Sequence, residues 1–208
     1  MKDMARKALG LLWLVLVGFS ASAQSVTDNR LTVNDFQSRE SQTVFTEEMV
    51  KANIPMEKPF RFLFAYYTQP YACEEDECWL YYDKAAHQLV ARPSQQEMAA
   101  GGRMRWTLKV EGAIIDSLAM LTQVAIEGAT HRENIGYDGT YYLFISEDGS
   151  AATTWSPKKG SHCRRLVGLY REVCRAVRNG DAPALADLQP KVDELIKLFR
   201  NYYAREWR

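Results

Sequence analysis

The sequence predicts an α+β fold, in which an antiparallel sheet is packed on one face by helices and the C-terminus is helical. Short segments rich in aromatic and β-branched residues follow one another between residues 60 and 110. Two later stretches show the three- and four-residue spacing of amphipathic helices, and a hairpin pattern separates them. Strands that come first, followed by helices around a last hairpin, are typical of an α+β domain.

The first 23 residues have the three regions of a secretory signal peptide. Basic residues lead into an apolar run over residues 8–17, and the small residues Ala21 and Ala23 follow it. The run is about ten residues long, which is well short of the roughly 20 residues that cross a bilayer. We therefore expect cleavage after Ala23, a secreted or periplasmic protein, and no transmembrane span in the mature chain.

The mature chain is long enough for one domain with a sizeable core. We expect a flexible or loosely docked polar arm over residues 24–42 and a single α+β domain over residues 43–208. Three basic residues and Asp3 leave with the signal peptide, so the 26 basic and 26 acidic residues of the full chain become 23 and 25. Nucleic-acid-binding proteins usually carry a clear basic excess, so this balance argues against a nucleic acid as partner.

The first half of the domain is predicted to contain one short helix and a series of strands. Residues 46–52 favour a helix that ends before Pro55. The predicted strands cover residues 60–67, 78–82, 88–92 and 104–110. The segment 83–87 suits a hairpin loop between two of these strands.

The second half alternates helical and strand patterns. Apolar residues recur at helical spacing over residues 113–127. Residues 140–145 and 152–155 then flank an Asp148-Gly149 turn, which indicates a hairpin.

The C-terminal part is predicted to be helical. A second amphipathic helix covers residues 161–179, with Ser161 able to cap its start and Gly180 its end. A last helical region spans residues 183–203, and Pro190 interrupts it because proline removes a backbone donor.

One local pattern resembles known proteins. Tyr137-Asp138-Gly139-Thr140-Tyr141-Tyr142, followed by Thr154-Trp155-Ser156-Pro157-Lys158-Lys159-Gly160-Ser161 and a helix, is similar to a pattern in small exported bacterial proteins of unknown function. The resemblance covers roughly the last third of the chain. It implies a hairpin, a loop and a helix, and it implies no activity.

Four cysteines lie in the predicted mature chain, where pairing is expected after export. Cys163 and Cys174 are eleven residues apart on one predicted helix, about 16 Å, which is too far for a disulfide. We expect Cys73 and Cys78 to pair around the acidic tip at residues 74–77. The helix cysteines are then buried thiols, or partners in an alternative crossed pairing.

No pattern of catalytic or metal-binding residues stands out. The three histidines are isolated from one another and lack zinc-ligand spacing, and the sequence contains no nucleophile elbow, metalloprotease motif or glycine-rich phosphate loop. Ser161 and His162 are neighbours, but adjacent helix residues point about 100° apart and form no dyad by themselves. We therefore assign no catalytic residue, metal or cofactor.

The hypothesis that follows is an exported, non-enzymatic binding or interaction module. Its partner would be a protein, a glycan or an anionic component of the envelope. Aromatic residues crowd the predicted strands, and an exposed aromatic face could hold such a partner, although burial in the sheet core is the commoner fate. These residues are Tyr66, Tyr67, Tyr71, Trp79, Tyr81 and Tyr82. A hydrolase whose groups assemble only in space, and a structural envelope protein, are the alternatives.

A second candidate surface is basic. Lys158 and Lys159 precede the helix that starts at Ser161, where free backbone amides and the helix dipole attract anions. Arginines continue the positive charge along one side of this helix at Arg164, Arg171, Arg175 and Arg178. The alternative is a solvated face whose charges pair with Asp181, Asp187 or Glu194.

Overall fold

The described part of the chain contains one seven-stranded antiparallel sheet with helices beside it. The computed structural model describes residues 29–34, 45, 47–54, 59–68, 77–93, 101, 104–131 and 139–206. The strands are β1 (Thr32–Val33), β2 (Phe60–Thr68), β3 (Glu77–Asp83), β4 (Gln88–Pro93), β5 (Trp106–Lys109), β6 (Thr140–Ser146) and β7 (Ala151–Trp155). The helices are α1 (Glu47–Asn53), α2 (Ala113–Glu127), α3 (His162–Asn179), α4 (Ala182–Ala186) and α5 (Gln189–Glu206). The spatial order of the strands is β1-β7-β6-β2-β3-β4-β5, and the predicted α+β class is confirmed.

Strand β2 is the middle of the sheet. Phe64 pairs with Leu80 of β3 on one side and with Phe144 of β6 on the other. All residues from Phe62 to Tyr66 are buried, so both faces of this strand are covered. The aromatic density that predicts this strand also explains its position, because flat, wide side chains fill the space above and below a pleated sheet.

Helices α2, α3 and α5 cover one face of the sheet. Strand residues at alternate positions point into this layer, and Phe64 lies 5.0 Å from the ring of Tyr170 on α3, centroid to centroid. The buried Tyr170 hydroxyl donates to the carbonyl of Leu118 at 3.0 Å and lies 2.5 Å from the Thr122 hydroxyl. These bonds satisfy the polar tip of a large core residue and join α3 to α2.

The opposite face of the sheet is covered as well. Leu63, Trp79 and Tyr81 point to this side, where they pack with Val50 of α1 and with Phe45. The rings of Phe45 and Trp79 meet edge to face with centroids 5.8 Å apart. The principal helices therefore lie on one face, as expected, while a short helix and a preceding aromatic residue close the second face.

Residues 29–34 are docked more closely than the predicted arm implies. Strand β1 pairs with β7 at the sheet edge, and Leu31 is completely buried. A single apolar anchor and a two-residue ladder are enough to hold a short segment at an edge whose partner is already formed. The predicted signal peptide and the rest of the predicted arm lie outside the described residues, so these assignments and export itself stay predictions.

The C-terminal helical region is divided, as the sequence indicates. Asp181 accepts a hydrogen bond from the amide of Ala184 and begins α4, and α5 follows after Asp187 and Leu188. Pro190 is the second residue of α5, where its missing N–H has no partner to lose. Among the described helices, none is long and apolar enough to span a membrane.

Two glycines should respond oppositely to an added methyl group. A Cβ at Gly128 would lie 1.8 Å from the Tyr203 ring, whereas a Cβ at Gly168 of α3 meets no atom within 4 Å. We expect Gly128→Ala to lower the free energy of unfolding by about 1–3 kcal/mol through overpacking. Gly168→Ala should raise it by about 0.5–1 kcal/mol, because alanine loses less backbone entropy in a helix.

Urea unfolding followed by circular dichroism measures both changes on the same chain. The double variant Gly128→Ala with Tyr203→Ala serves as the control, since it removes the ring that the new methyl would strike. If Gly128→Ala is as stable as the wild-type protein, the close packing of α5 on the end of α2 is wrong.

Candidate anion-binding surface

Helix α3 has the strongest separation of apolar and polar sides among the described helices. Every apolar position that the sequence assigns to its stripe is buried. These positions are Cys163, Leu166, Val167, Tyr170, Val173, Cys174 and Val177. Gly180 ends the helix in the left-handed conformation with φ 68°, as the sequence predicts. The buried stripe fixes the rotation of α3 and therefore decides which way its charged residues face.

The start of α3 is capped by the protein's own groups. The Ser161 hydroxyl accepts a hydrogen bond from the amide of Arg164 at 3.1 Å and donates to the carbonyl of Lys158 at 2.8 Å. The amide of His162 donates to Asn29 Oδ1 at 2.9 Å. Ser161 is thus the predicted N-cap, and two of the helix-start amides already have acceptors. An anion at this surface would therefore depend on basic side chains more than on free backbone amides.

The four arginines of the predicted stripe lie on one side of α3. At about 100° per residue, they fall within about 60° of the helix circumference. Arg164, Arg171 and Arg175 are exposed, and Arg178 is half-buried. We call the set Arg164, Arg171, Arg175 and Arg178 the arginine stripe.

Two members of the arginine stripe lie over aromatic rings of the sheet. The guanidinium carbon of Arg171 is 5.1 Å from the ring centroid of Tyr66, which is on β2. That of Arg178 is 4.8 Å from the ring centroid of Trp106, which is on β5. Both distances fall within the range of cation–π attraction. Each ring limits the motion of the arginine above it and leaves the in-plane N–H donors at the guanidinium rim.

The two lysines do not join this arrangement into one pocket. Lys158 and Lys159 are exposed, and Lys159 is separated from Arg178 by 19 residues, or about 28 Å along a helix. The predicted anion-binding residues therefore form an extended basic line, with lysines at one end and aromatic-supported arginines at the other. Ser161 contributes as a cap inside the chain.

The acidic residues that could have neutralised the stripe are engaged elsewhere or exposed. Glu194 pairs with Arg165 at 2.5 Å, on the other side of α3, and Asp181 caps α4. Asp187 is exposed just after α4. Arg175 shares an open cleft of about 340 Å³ with Asp181 and other residues of both charge signs. The stripe thus faces away from the ion pairs that join α3 to α5.

His162 lies in an aromatic cluster with the two ends of the described domain, and it is not the exposed first-turn residue that the sequence indicates. Its ring meets Tyr202 of α5 edge to face with centroids 5.0 Å apart. The guanidinium carbon of Arg30 lies 5.6 Å from the ring centroids of both Tyr202 and Tyr203. Burial, and to a smaller degree the charge of Arg165, lower the pKa of His162.

The predicted aromatic binding face is not formed by the described residues. Tyr66, Trp79, Tyr81 and Tyr82 are buried, and they point alternately into the two core layers. Tyr67 is half-buried and Tyr71 lies outside the described residues. Burial wins because the sheet is covered on both sides, so alternation leaves no aromatic side facing water. The large apolar side chains that are exposed in the described segments are Met104 and Met120.

The cysteines meet in a way that the preferred pairing did not include. Cys78 Sγ lies 3.7 Å from Cys174 Sγ, and both residues are buried. Cys73 lies outside the described residues, so its pairing with Cys78 stays a prediction. Burial, followed by the neighbouring Cys78, raises the pKa of Cys174. In the described segments, no group of three His, Cys, Asp or Glu residues could hold a metal ion.

Sequence reasoning missed the residues that support the arginine stripe. Tyr66 and Trp106 belong to different strands that precede α3 by about 105 and 72 residues, when Tyr66 is matched with Arg171 and Trp106 with Arg178. The seven-residue spacing of these arginines shows that they share a side of the helix, but the ring beneath each one depends on how the helix crosses the sheet. Asn29, which holds the first amide of α3, gave no local signal either.

The lowered pKa of His162 predicts a loss of stability in mild acid. Between its folded and unfolded pKa values the unfolded chain binds more protons, so the free energy of unfolding should fall as the pH drops below about 6.5. We expect His162→Asn to lessen this fall between pH 7.5 and 5.5 in urea titrations. The exposed His87→Asn variant should keep the wild-type pH dependence, and an unchanged slope in His162→Asn would contradict the buried setting.

The comparisons with known proteins concern the whole chain. No family model matches it, and neither a curated protein nor a solved structure does so. The resemblance of residues 137–161 to exported bacterial proteins stays a prediction.

Proposed function

We propose that this protein is an exported, non-enzymatic binding module that recognises an anionic component of the cell envelope through the arginine stripe. The observation that carries the proposal is the placement of Arg171 over Tyr66 and of Arg178 over Trp106. Exposed Arg164 and Arg175 continue the same line of positive charge.

Support by an aromatic ring suits an arginine for recognition of anions. A free arginine loses about 2 kcal/mol of side-chain rotamer freedom when it is fixed by a ligand. The rings of Tyr66 and Trp106 already restrict Arg171 and Arg178, so less entropy remains to be lost on binding. The guanidinium fork matches phosphate, sulfate and carboxylate groups through paired N–H donors.

The charges on α3 are sorted between its two sides. Arg165 pairs with Glu194, and Glu172 pairs with Lys191 at 2.6 Å, so the side towards α5 is locally compensated. The arginine stripe lies on the other side. Although the net charge of the chain is zero, this division produces a local positive field, which attracts anions within a Debye length of about 8 Å at physiological salt.

The length of the arginine stripe favours a ligand with several anionic groups. Arg164 and Arg178 are separated by about 21 Å along the helix axis. A single phosphate or sulfate reaches one or two of these side chains, whereas a chain of repeated anionic groups spans the stripe. An anionic glycan or the headgroups of an anionic glycolipid have this chemistry, and several weak contacts then add in one binding event.

The test compares two triple variants of the chain from residue 24 that lose the same charge. The stripe variant is Arg164→Gln, Arg171→Gln and Arg175→Gln, and the matched control is Arg165→Gln, Lys197→Gln and Arg200→Gln, all exposed residues on α3 or α5. Binding to lipopolysaccharide, used as a polyanionic glycolipid, is measured by titration calorimetry at low salt. We expect at least a tenfold weaker affinity for the stripe variant and less than a threefold change for the control.

Salt and a simple anion complete this experiment. Raising the salt concentration should weaken wild-type binding, and inorganic phosphate should bind far more weakly than the glycolipid. The proposal fails if the wild-type chain does not bind lipopolysaccharide, or if both triple variants lose affinity equally.

The lysines ahead of α3 have their own variant. Lys158→Ala, Lys159→Ala and Arg164→Ala remove the basic end that lies next to the Ser161 cap. Because no ring lies under Arg164 in the described contacts, we expect a smaller loss of affinity than in the stripe variant. A larger loss would move the centre of the binding surface to the helix start.

A further inference from the structure

Two buried cysteines from distant parts of the chain are in contact across the helix-side core. Cys78 is on β3 and Cys174 is on α3, and their sulfur atoms are 3.7 Å apart. Cys78 is completely shielded from water and Cys174 is 4% exposed. Ninety-six residues separate them along the chain. The contact therefore results from the tertiary packing of α3 on the sheet.

The contact is specific to one of the helix cysteines. Cys163 lies on the same helix, eleven residues before Cys174, and about 16 Å from it along the axis. Cys78 pairs with Tyr66 of β2 and with Pro93 of β4, so its strand is held on both sides. Cys174 lies one turn after Tyr170, whose ring is packed on Phe64. Both sulfur atoms are thus positioned by rigid elements.

We propose that Cys78 and Cys174 form a disulfide that joins the sheet to α3 when the exported protein folds under oxidising conditions. The sulfur atoms must approach by about 1.6 Å to reach the bond length of about 2.05 Å. Small rotations of the two side chains about their Cα–Cβ bonds produce such a movement. Cys78 can form one such bond, so this pairing and the predicted Cys73–Cys78 pairing exclude each other.

The oxidation requires a disulfide as oxidant, such as glutathione disulfide or the active-site disulfide of a thiol oxidase. The thiolate of one cysteine attacks a sulfur of the oxidant, and a mixed disulfide forms as one thiol leaves. The thiolate of the second cysteine attacks the protein sulfur of that mixed disulfide, forms the Sγ–Sγ bond and releases the second thiol. Two protein thiols are oxidised, the oxidant is reduced to two thiols, and these carry the two protons.

Burial decides when this reaction occurs. The raised pKa of Cys174 means that little thiolate is present once α3 has packed. The thiols are accessible while the chain is still folding. We therefore expect fast cross-linking during oxidative refolding and slow cross-linking of the folded, reduced protein.

Peptide mapping identifies the bond directly in the wild-type chain. The reduced, unfolded chain is refolded with glutathione disulfide, its remaining thiols are alkylated in acid, and the unfolded product is digested with trypsin and a glutamate-specific protease. Cleavage after Glu77 and Glu172 places all four cysteines on different peptides. A cross-link between the peptides that begin at Cys78 and Val173 supports the proposal. A Cys73–Cys78 link, or four alkylated thiols, overturns it.

Two single variants separate the cross-link from simple core packing. Cys174→Ala and Cys163→Ala each remove a buried sulfur from α3, but only Cys174 contacts Cys78. In the wild-type chain and in Cys163→Ala, oxidation should raise Tm by about 10 °C, because a long loop of the unfolded chain is closed. Cys174→Ala should show no such rise. An equal rise in Cys174→Ala would overturn the assignment, and the mapping stands without either variant if one fails to fold.

Discussion

The burial of the central strands on both faces is the constraint on which the rest of the structure depends. Every residue of β3 from Cys78 to Asp83 is buried, and so is the core of β2. A strand in this position needs a neighbour on each edge for its backbone groups and an apolar layer above and below for its side chains. Helices α2, α3 and α5 form one layer, and α1 with Phe45 contributes to the other. Function is therefore left to the outer surfaces of the covering elements.

This constraint also explains why the aromatic residues of the sheet are unavailable as a flat binding face. Trp79 and Leu80 are neighbours on β3, yet they belong to separate core layers. Tyr66 serves the core and at the same time lies beneath the guanidinium of Arg171. Aromatic side chains therefore act on the candidate surface from below, by holding arginines, while their own faces stay covered.

Local patterns predicted most elements, because the information for them lies within a few residues. The helix over 113–127 and the Asp148-Gly149 turn follow from spacing and from turn chemistry. The place of β2 between β3 and β6 could not be predicted in this way, since β6 is more than 70 residues further along the chain. The same holds for β1, a two-residue strand with too few positions for a periodic pattern. Helical spacing grouped the stripe arginines, whereas contacts such as Arg178 with Trp106 arise from packing alone.

The aromatic cluster around Arg30 ties the first described residues to the last helix. Arg30 lies over the rings of Tyr202 and Tyr203, and Asn29 holds the first amide of α3. The earliest part of the domain to be synthesised therefore finds its final partners only after the last part has been made. Completion of the fold must wait for release of the full chain, and a circular permutant that joins the two ends through a short linker would keep these contacts local.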